Sequence, residues 1–326
     1  MLNDDTAVLA SVYRATGADL PLADPAAAHG VPLEGYYWRI ADARSNAVIV
    51  ALSAACRDAG GGTWGLSTLA AHPGGFARTV ITDTAQADPH GFGVRAEGVL
   101  RGDAARLAVD MGPDARLDVA LRDPVLWPRR VFGALGLAHA VPRLPQYWHP
   151  VVLSARADGR VTAGELSIEF QGAAGYAEKN WGRGFPGRWW WGHAASFDDD
   201  VSVSFAGGPL RLLGADVAPT AVVLRLGPRA VALAPPRART RATAAGGEWR
   251  LHARSRGYDV EIGGDAAGGR AHELLVPIPA ERRGELRSRQ HLAGELSLRV
   301  RRGRRLVYDG RSQLAGLELG AAGVLT

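Results

Sequence analysis

The sequence predicts an all-β protein: antiparallel barrels or sandwiches, two in tandem, behind one short helix. Three observations point there. Short apolar runs with period-two alternation recur along the chain, punctuated by Gly, Pro and Asp, which is the pattern of strands joined by tight turns. Long amphipathic helical patterns are absent. The length of 326 residues accommodates one large or two ordinary domains with sizeable cores.

In chain order, Asp4 to Thr16 reads as a capped helix with Val8, Leu9, Val12 and Tyr13 on one side. The stretch "ADLPLADPAAAHGVP" is a proline-marked entry loop. "YYWRIADARSNAVIVALSAAC" gives two strands around a polar turn. Further hairpins follow: one turning at Gly102-Asp103, one at Gly227-Pro228 and one at Gly303. Residues 128 to 148 are apolar, basic at the start and broken by prolines. They read as a long connection packed on a barrel, with a lid helix or a lipid-touching segment as alternatives. "GELSIEF" from Gly164 and "GELSLRV" from Gly294 form a faint internal echo. The expected organisation is an N-terminal helix and entry loop over 1–29, a first β-domain over 30–170 and a second over 171–326.

Composition narrows the function classes. Lys+Arg of 38 against Asp+Glu of 33 leaves +5, an imbalance that permits an anionic surface without demanding one. The arginines between 299 and 305 read as a charged hairpin edge that blocks strand pairing, so no nucleic-acid partner is expected. Asp198-Asp199-Asp200 reads as a polar turn. One cysteine, Cys56, rules out an internal disulfide framework and points to a reducing compartment. The N-terminus lacks a secretory pattern, and no apolar run reaches the ~20 residues of a spanning helix. A cytoplasmic protein is expected, with peripheral membrane contact allowed. There is no Walker loop, dinucleotide fingerprint or nucleophile elbow. The nine histidines are scattered, so neither a metal nor a cofactor is expected, and no protein partner is evident.

Residues 176 to 194, "YAEKNWGRGFPGRWWWGHA", stand out. They contain Lys179, the sole lysine of the chain, beside Asn180, one of three asparagines. In a strand, alternation puts Tyr176, Glu178 and Asn180 on one face, opposite Lys179 and Trp181. It puts Trp189, Trp191 and His193 on one face, opposite Trp190. "LEGYYWRI" places Glu34, Tyr36 and Trp38 together. If such faces line a barrel lumen, the lumen is apolar and aromatic with a few polar groups, an environment for a lipophilic ligand. Packed core tryptophans, and a lysine paired with a carboxylate, are the plainer alternative.

"EKNWG", then "FP", then "WWWGH" resembles the signature of the tocopherol cyclase family, carried here by Glu178, Lys179, Asn180, Trp181, Gly182, Phe185, Pro186, Trp189 and Trp191. "LEGYYWRI", "YWHPVVLSARADGRVTAGELSIEF" and "RSQLAGLELGAAG" are similar to further parts of the family. His193 stands where the family usually has Gln, and the chain is shorter than the plant enzymes. The resemblance implies two lipocalin-like (calycin-type) barrels, distantly similar to carotenoid hydratases. It implies an intramolecular lyase that protonates a prenyl double bond of a hydroquinone-type substrate and traps the cation with a phenolic oxygen, closing a chromanol-type ring. The expected roles are Glu178 or His193 as acid and Asn180 orienting the substrate oxygen. Trp181, Trp189, Trp191, Tyr176, Glu34, Tyr36 and Trp38 are expected to wall the pocket, and Lys179 to serve in a structural pairing. A non-catalytic binder of isoprenoid or prenylquinone lipids, and a related hydratase or natural-product cyclase, are the alternatives.

Overall fold

A computed structural model describes residues 4–128, 132–197, 200–212 and 214–322. Among them two large antiparallel sheets dominate, one of eleven strands and one of ten, each a nearly closed barrel. Both follow the same path. In the first sheet the opening strand, Leu33–Asp42, pairs with the closing strand, Leu166–Gly182. The free edges are the sequence neighbours Phe76–Thr82 and Ala85–Ala87. In the second sheet the opening strand, Arg188–Ala194, pairs with the closing strand, Arg305–Ala321, and the edges are Arg229–Leu233 and Arg239–Ala245. The sheet change falls between Gly182 and Arg188, so the division expected at 170/171 lies inside the closing strand of the first barrel.

The turns predicted around residues 43–46, 227–228 and 303 separate strands as expected. The hairpin expected at Gly102-Asp103 turns two residues later, at 104–105, where the Asp103 carboxylate accepts from the Ala105 and Arg106 N–H groups. The two "GEL" segments do not correspond. Leu166 begins the closing strand of the first barrel, whereas Gly294 lies inside Arg283–Arg302, the penultimate strand of the second. The path repeats between the halves; these letters do not mark it. The 128–148 connection forms a 3-10 turn at Gly136–Ala140 and enters a strand at Gln146, with Arg129, Arg130 and Val131 outside the described residues. No lid helix is present among the described part. The N-terminal helix, Asp4–Arg14, leaves Val8, Leu9 and Val12 exposed, so its apolar side is not a core face. Asp200 pairs with Arg225; Asp198 and Asp199 are outside the described residues. No helix is long and apolar enough to cross a membrane.

Three apolar clusters account for most of the packing. Tyr36, Trp38 and Ile40 belong to the first barrel's interior, and Trp190, Phe205 and Trp249 to the second's. A third cluster, with Tyr37, Trp148, Tyr176, Trp191 and Leu292, lies between the barrels. The opening strand of the first barrel is therefore buried at every position, because its outer face packs against the second barrel as its inner face packs on its own core. Polar ties reinforce the contact. Arg39 donates to the carbonyls of Leu292 and Leu314 at 2.8 and 2.6 Å, and Gln290 donates to the Tyr37 hydroxyl at 3.0 Å.

Candidate active site

A cavity of about 260 Å³ opens between the barrels. The expectation of a site inside a lumen is corrected here: the aromatic faces point outward, each toward the other barrel. The alternation itself holds. Tyr176, Glu178 and Asn180 leave the first barrel on its outer side. Trp189, Trp191 and His193 leave the second on its outer side, and Trp190 turns into the second core.

Glu178 lines this cavity and is 4% exposed. Its Oε2 accepts three hydrogen bonds: from Tyr176 Oη at 2.5 Å, Trp148 Nε1 at 2.8 Å and Trp191 Nε1 at 2.9 Å. All three donors are neutral. Burial pushes the Glu178 carboxyl up to about 7, with the three donors pulling back and the nearby Glu318 adding to the rise. Loss of hydration outweighs hydrogen bonding here, as expected for a carboxyl without a cationic partner.

Glu318 projects from the closing strand of the second barrel into the same cavity. Its Oε1 accepts from Trp189 Nε1 at 2.7 Å and Ser288 Oγ at 2.9 Å, and its Oε2 from Gln290 Nε2 at 3.4 Å. Burial raises its carboxyl as well. Trp189 reaches it because Gly320 lies opposite on the paired strand. A Cβ at that glycine would fall 1.9 Å from the indole, so only glycine lets the ring lie flat there. Gly35 likewise leaves room for the Asn180 side chain.

Trp189, Trp191, Glu178 and Asn180 of the expected site line the cavity, and Tyr36 borders it although its ring packs inside the first barrel. Tyr176 stands behind it as a donor to Glu178. His193 is 2% exposed, stacked on Tyr176 at 3.8 Å, with both ring nitrogens unpartnered. Burial holds it neutral well below the usual histidine range, and it does not reach the cavity wall. Trp181, Glu34 and Trp38 lie elsewhere. Trp38 is core of the first barrel. Trp181 stacks on His29 at 4.4 Å and donates to the Gly17 carbonyl. Glu34 takes Lys179 at 2.7 Å. Lys179 is 0% exposed and also donates to the Ala27 carbonyl and to His29 Nδ1. The single lysine thus sits in an ion pair with Glu34, at one end of the first barrel. Since an ammonium only donates, His29 Nδ1 accepts and its Nε2 donates to Asp19 at 2.9 Å.

Sequence reasoning missed Trp148, Tyr37, Ser288, Gln290 and Glu318. For Glu318 a signal existed: an acidic residue inside the alternating apolar strand "LAGLELG". Most of the remaining lining is apolar, Leu135, Leu144 and Phe185, for example, with the prolines at 186, 209 and 235; Ser53, Gln146, Tyr147 and Thr220 add polar groups. Among the described residues no group of His, Cys, Asp and Glu is arranged to hold a metal.

The family model for tocopherol cyclase-like proteins matches residues 127–321, which carry Trp148, Glu178, Trp189, Trp191 and Glu318. The chain belongs to the tocopherol cyclase-like family. The chloroplastic tocopherol cyclase of Zea mays is 30% identical over 124 residues, 36% of this chain and 26% of the relative. A protein described as a "probable tocopherol cyclase" in Oryza sativa subsp. japonica is 28% identical over 124 residues, with the same shares. The chain thus spans about a quarter of the length of these curated relatives. Among solved structures, kievitone hydratase from Nectria haematococca aligns with a TM-score of 0.52 at 10% identity, over 90% of this chain and 89% of that one. A Nitrosomonas europaea protein described as an AttH aligns with a TM-score of 0.51 at 11% identity, over 90% and 94%. These two similarities carry the fold alone: this chain has a two-barrel, lipocalin-like architecture.

Proposed function

We propose that this member of the tocopherol cyclase-like family is an enzyme that protonates a prenyl double bond of a phenolic lipid, with Glu178 as the acid. The observation that carries the reading is the Glu178 environment: a buried carboxyl, in an apolar cavity, held by three neutral donors on one oxygen. Because Oε2 is occupied by donors, the acidic proton resides on Oε1. A carboxyl held up to about 7 is protonated at neutral pH in a useful fraction, the condition for general acid catalysis.

Proton transfer to the alkene carbon creates a tertiary cation. The indoles of Trp148 and Trp191 touch the acid and that of Trp189 lines the same cavity, and an aromatic face near a desolvated cation contributes roughly 0.5 to 2 kcal/mol. A phenolic oxygen of the same substrate then forms the new C–O bond. Asn180, on the cavity wall and accepting from Gln146 at 3.4 Å, is positioned to orient that oxygen. The cavity is small for a ligand pocket, which suits an aromatic head with a short prenyl unit.

The test is incubation with 2-geranyl-1,4-hydroquinone, followed by mass and product analysis. A chromanol-type product of unchanged mass supports ring closure. A product heavier by one water assigns the protein to alkene hydration by the same acid. Binding without conversion, seen as a tryptophan fluorescence change, would leave a carrier and overturn the catalytic reading.

A further inference from the structure

We infer that Glu318 is a second catalytic residue, the base that takes the phenolic proton as the ring closes. The inference rests on the proposed reaction and extends it to the nucleophile's side of the cavity. The two carboxylates are dressed differently. Glu178 receives all its donors on one oxygen, which leaves the other for a proton. Glu318 receives donors on both oxygens, from Trp189 and Ser288 on Oε1 and from Gln290 on Oε2, which is how an ionised carboxylate is held. Two buried carboxylates facing one cavity do not both ionise at little cost; one keeps a proton and the other keeps the charge. The hydrogen bonds decide which does which.

The remaining charged and titratable groups near Glu318 do not take over its role. Arg287 lies 5.7 Å over the Trp189 ring and sends its N–H groups to the carbonyls of Pro186 and Ala321. Tyr37, bonded to Gln290, is held protonated by burial. The proton balance closes. The O–H bond of Glu178 breaks and a C–H bond forms at the alkene. The phenolic oxygen bonds to the cation, and its proton passes to Glu318. Return of that proton from Glu318 to Glu178 restores the starting state, so the reaction is an isomerisation with no co-reactant.

The experiment compares turnover of 2-geranyl-1,4-hydroquinone across pH for the parent, Glu178→Gln and Glu318→Gln, with near-ultraviolet circular dichroism to check folding. The parent should give a bell: the acid limb reports Glu318 and the alkaline limb Glu178. Glu318→Gln should lower kcat by about 10²- to 10⁴-fold and remove the acid limb. Trp189→Phe and Ser288→Ala keep the carboxylate but strip its donors; both should move the acid limb to higher pH. Glu318→Gln with parental kcat and an intact acid limb, while Glu178→Gln is inactive, would overturn the role of Glu318 alone. Full turnover by Glu178→Gln, or none by the parent, would remove the underlying reaction and this role with it. Should Glu318→Gln fail to fold, an unmoved acid limb in both donor variants would overturn the proposal.

Discussion

Glu34 and Glu178 sit on neighbouring strands, and both are 4% exposed. Glu34 faces into the end of the first barrel and meets the ammonium of Lys179 at 2.7 Å, with backbone N–H groups of His29 and Gly30 completing its shell. Glu178 faces outward and meets two indoles and a phenol. The first is a closed ion pair under a pinned N-terminal segment. The second is a carboxyl that burial drives toward its neutral form. Equal burial thus gives different surroundings: Glu34 has a cationic partner, whereas Glu178 has only neutral donors and is raised by burial.

Removing the lysine should break the comparison hardest. Lys179→Met leaves Glu34 buried without its counter-ion, and stability should fall by about 3–5 kcal/mol, read from denaturant unfolding. Turnover per folded molecule should change far less. A Lys179→Met protein as stable as the parent would mean that Glu34 is not held by the pair.

Glu178→Gln should do the reverse. Gln keeps the size and an oxygen for the three donors but has no acidic proton. Turnover should drop by about 10²-fold or more with affinity nearly unchanged, and the melting temperature should stay level or rise.

The pH dependence sharpens the same contrast. The native Glu178 carboxyl titrates near 7 and the unfolded one near 4.5, so between these values the folded state holds a proton that the unfolded chain has released. Its contribution to stability is present below about 4.5 and is lost as pH rises through about 7. Asp19, raised by burial to about 6, acts in the same direction. Buried histidines held neutral, such as His139 and His193, act in the opposite direction below their ordinary value of 6.5. The informative curve is therefore the stability difference between parent and Glu178→Gln. It should decline from pH 4.5 to 7 and be flat on either side. A flat difference throughout would place the native carboxyl at its ordinary value.

A smaller effect is expected at Gly320. Gly320→Ala should push Trp189 off Glu318, cost about 1–3 kcal/mol through overpacking, and blue-shift or red-shift the tryptophan emission measurably. Unchanged emission would show that the indole does not lie over this glycine.

Much of this was legible in the sequence, for a definite reason. Alternation separates Glu178 from Lys179 and Trp189 from Trp190, and the pleat enforces that separation in the structure. Alternation does not tell which face looks into a barrel. In an isolated barrel the outer face would be polar and reveal itself. Here the strand Leu33–Asp42 is buried on both faces, so Tyr37, which lines the cavity, reads no differently from Trp38, which is core. Glu318 and Gln290 come from distant strands, and only the docking of the two barrels brings them to Glu178. The N-terminal helix shows the converse: its periodicity was correct as far as Arg14, yet Val8, Leu9 and Val12 found no core to enter.

The shared path of the two barrels puts Glu178 and Glu318 at matching places, each on a closing strand and each opposite an aromatic residue of an opening strand, Tyr37 and Trp191. A homodimer of either barrel, joined the same way, would set two copies of one carboxylate across a two-fold axis. Identical twins cannot divide labour, since any substitution strikes both walls at once. Joining the halves in one polypeptide lifts that constraint: each wall mutates alone, and the three donors on one side and the mixed set on the other are the record of two walls that have become different.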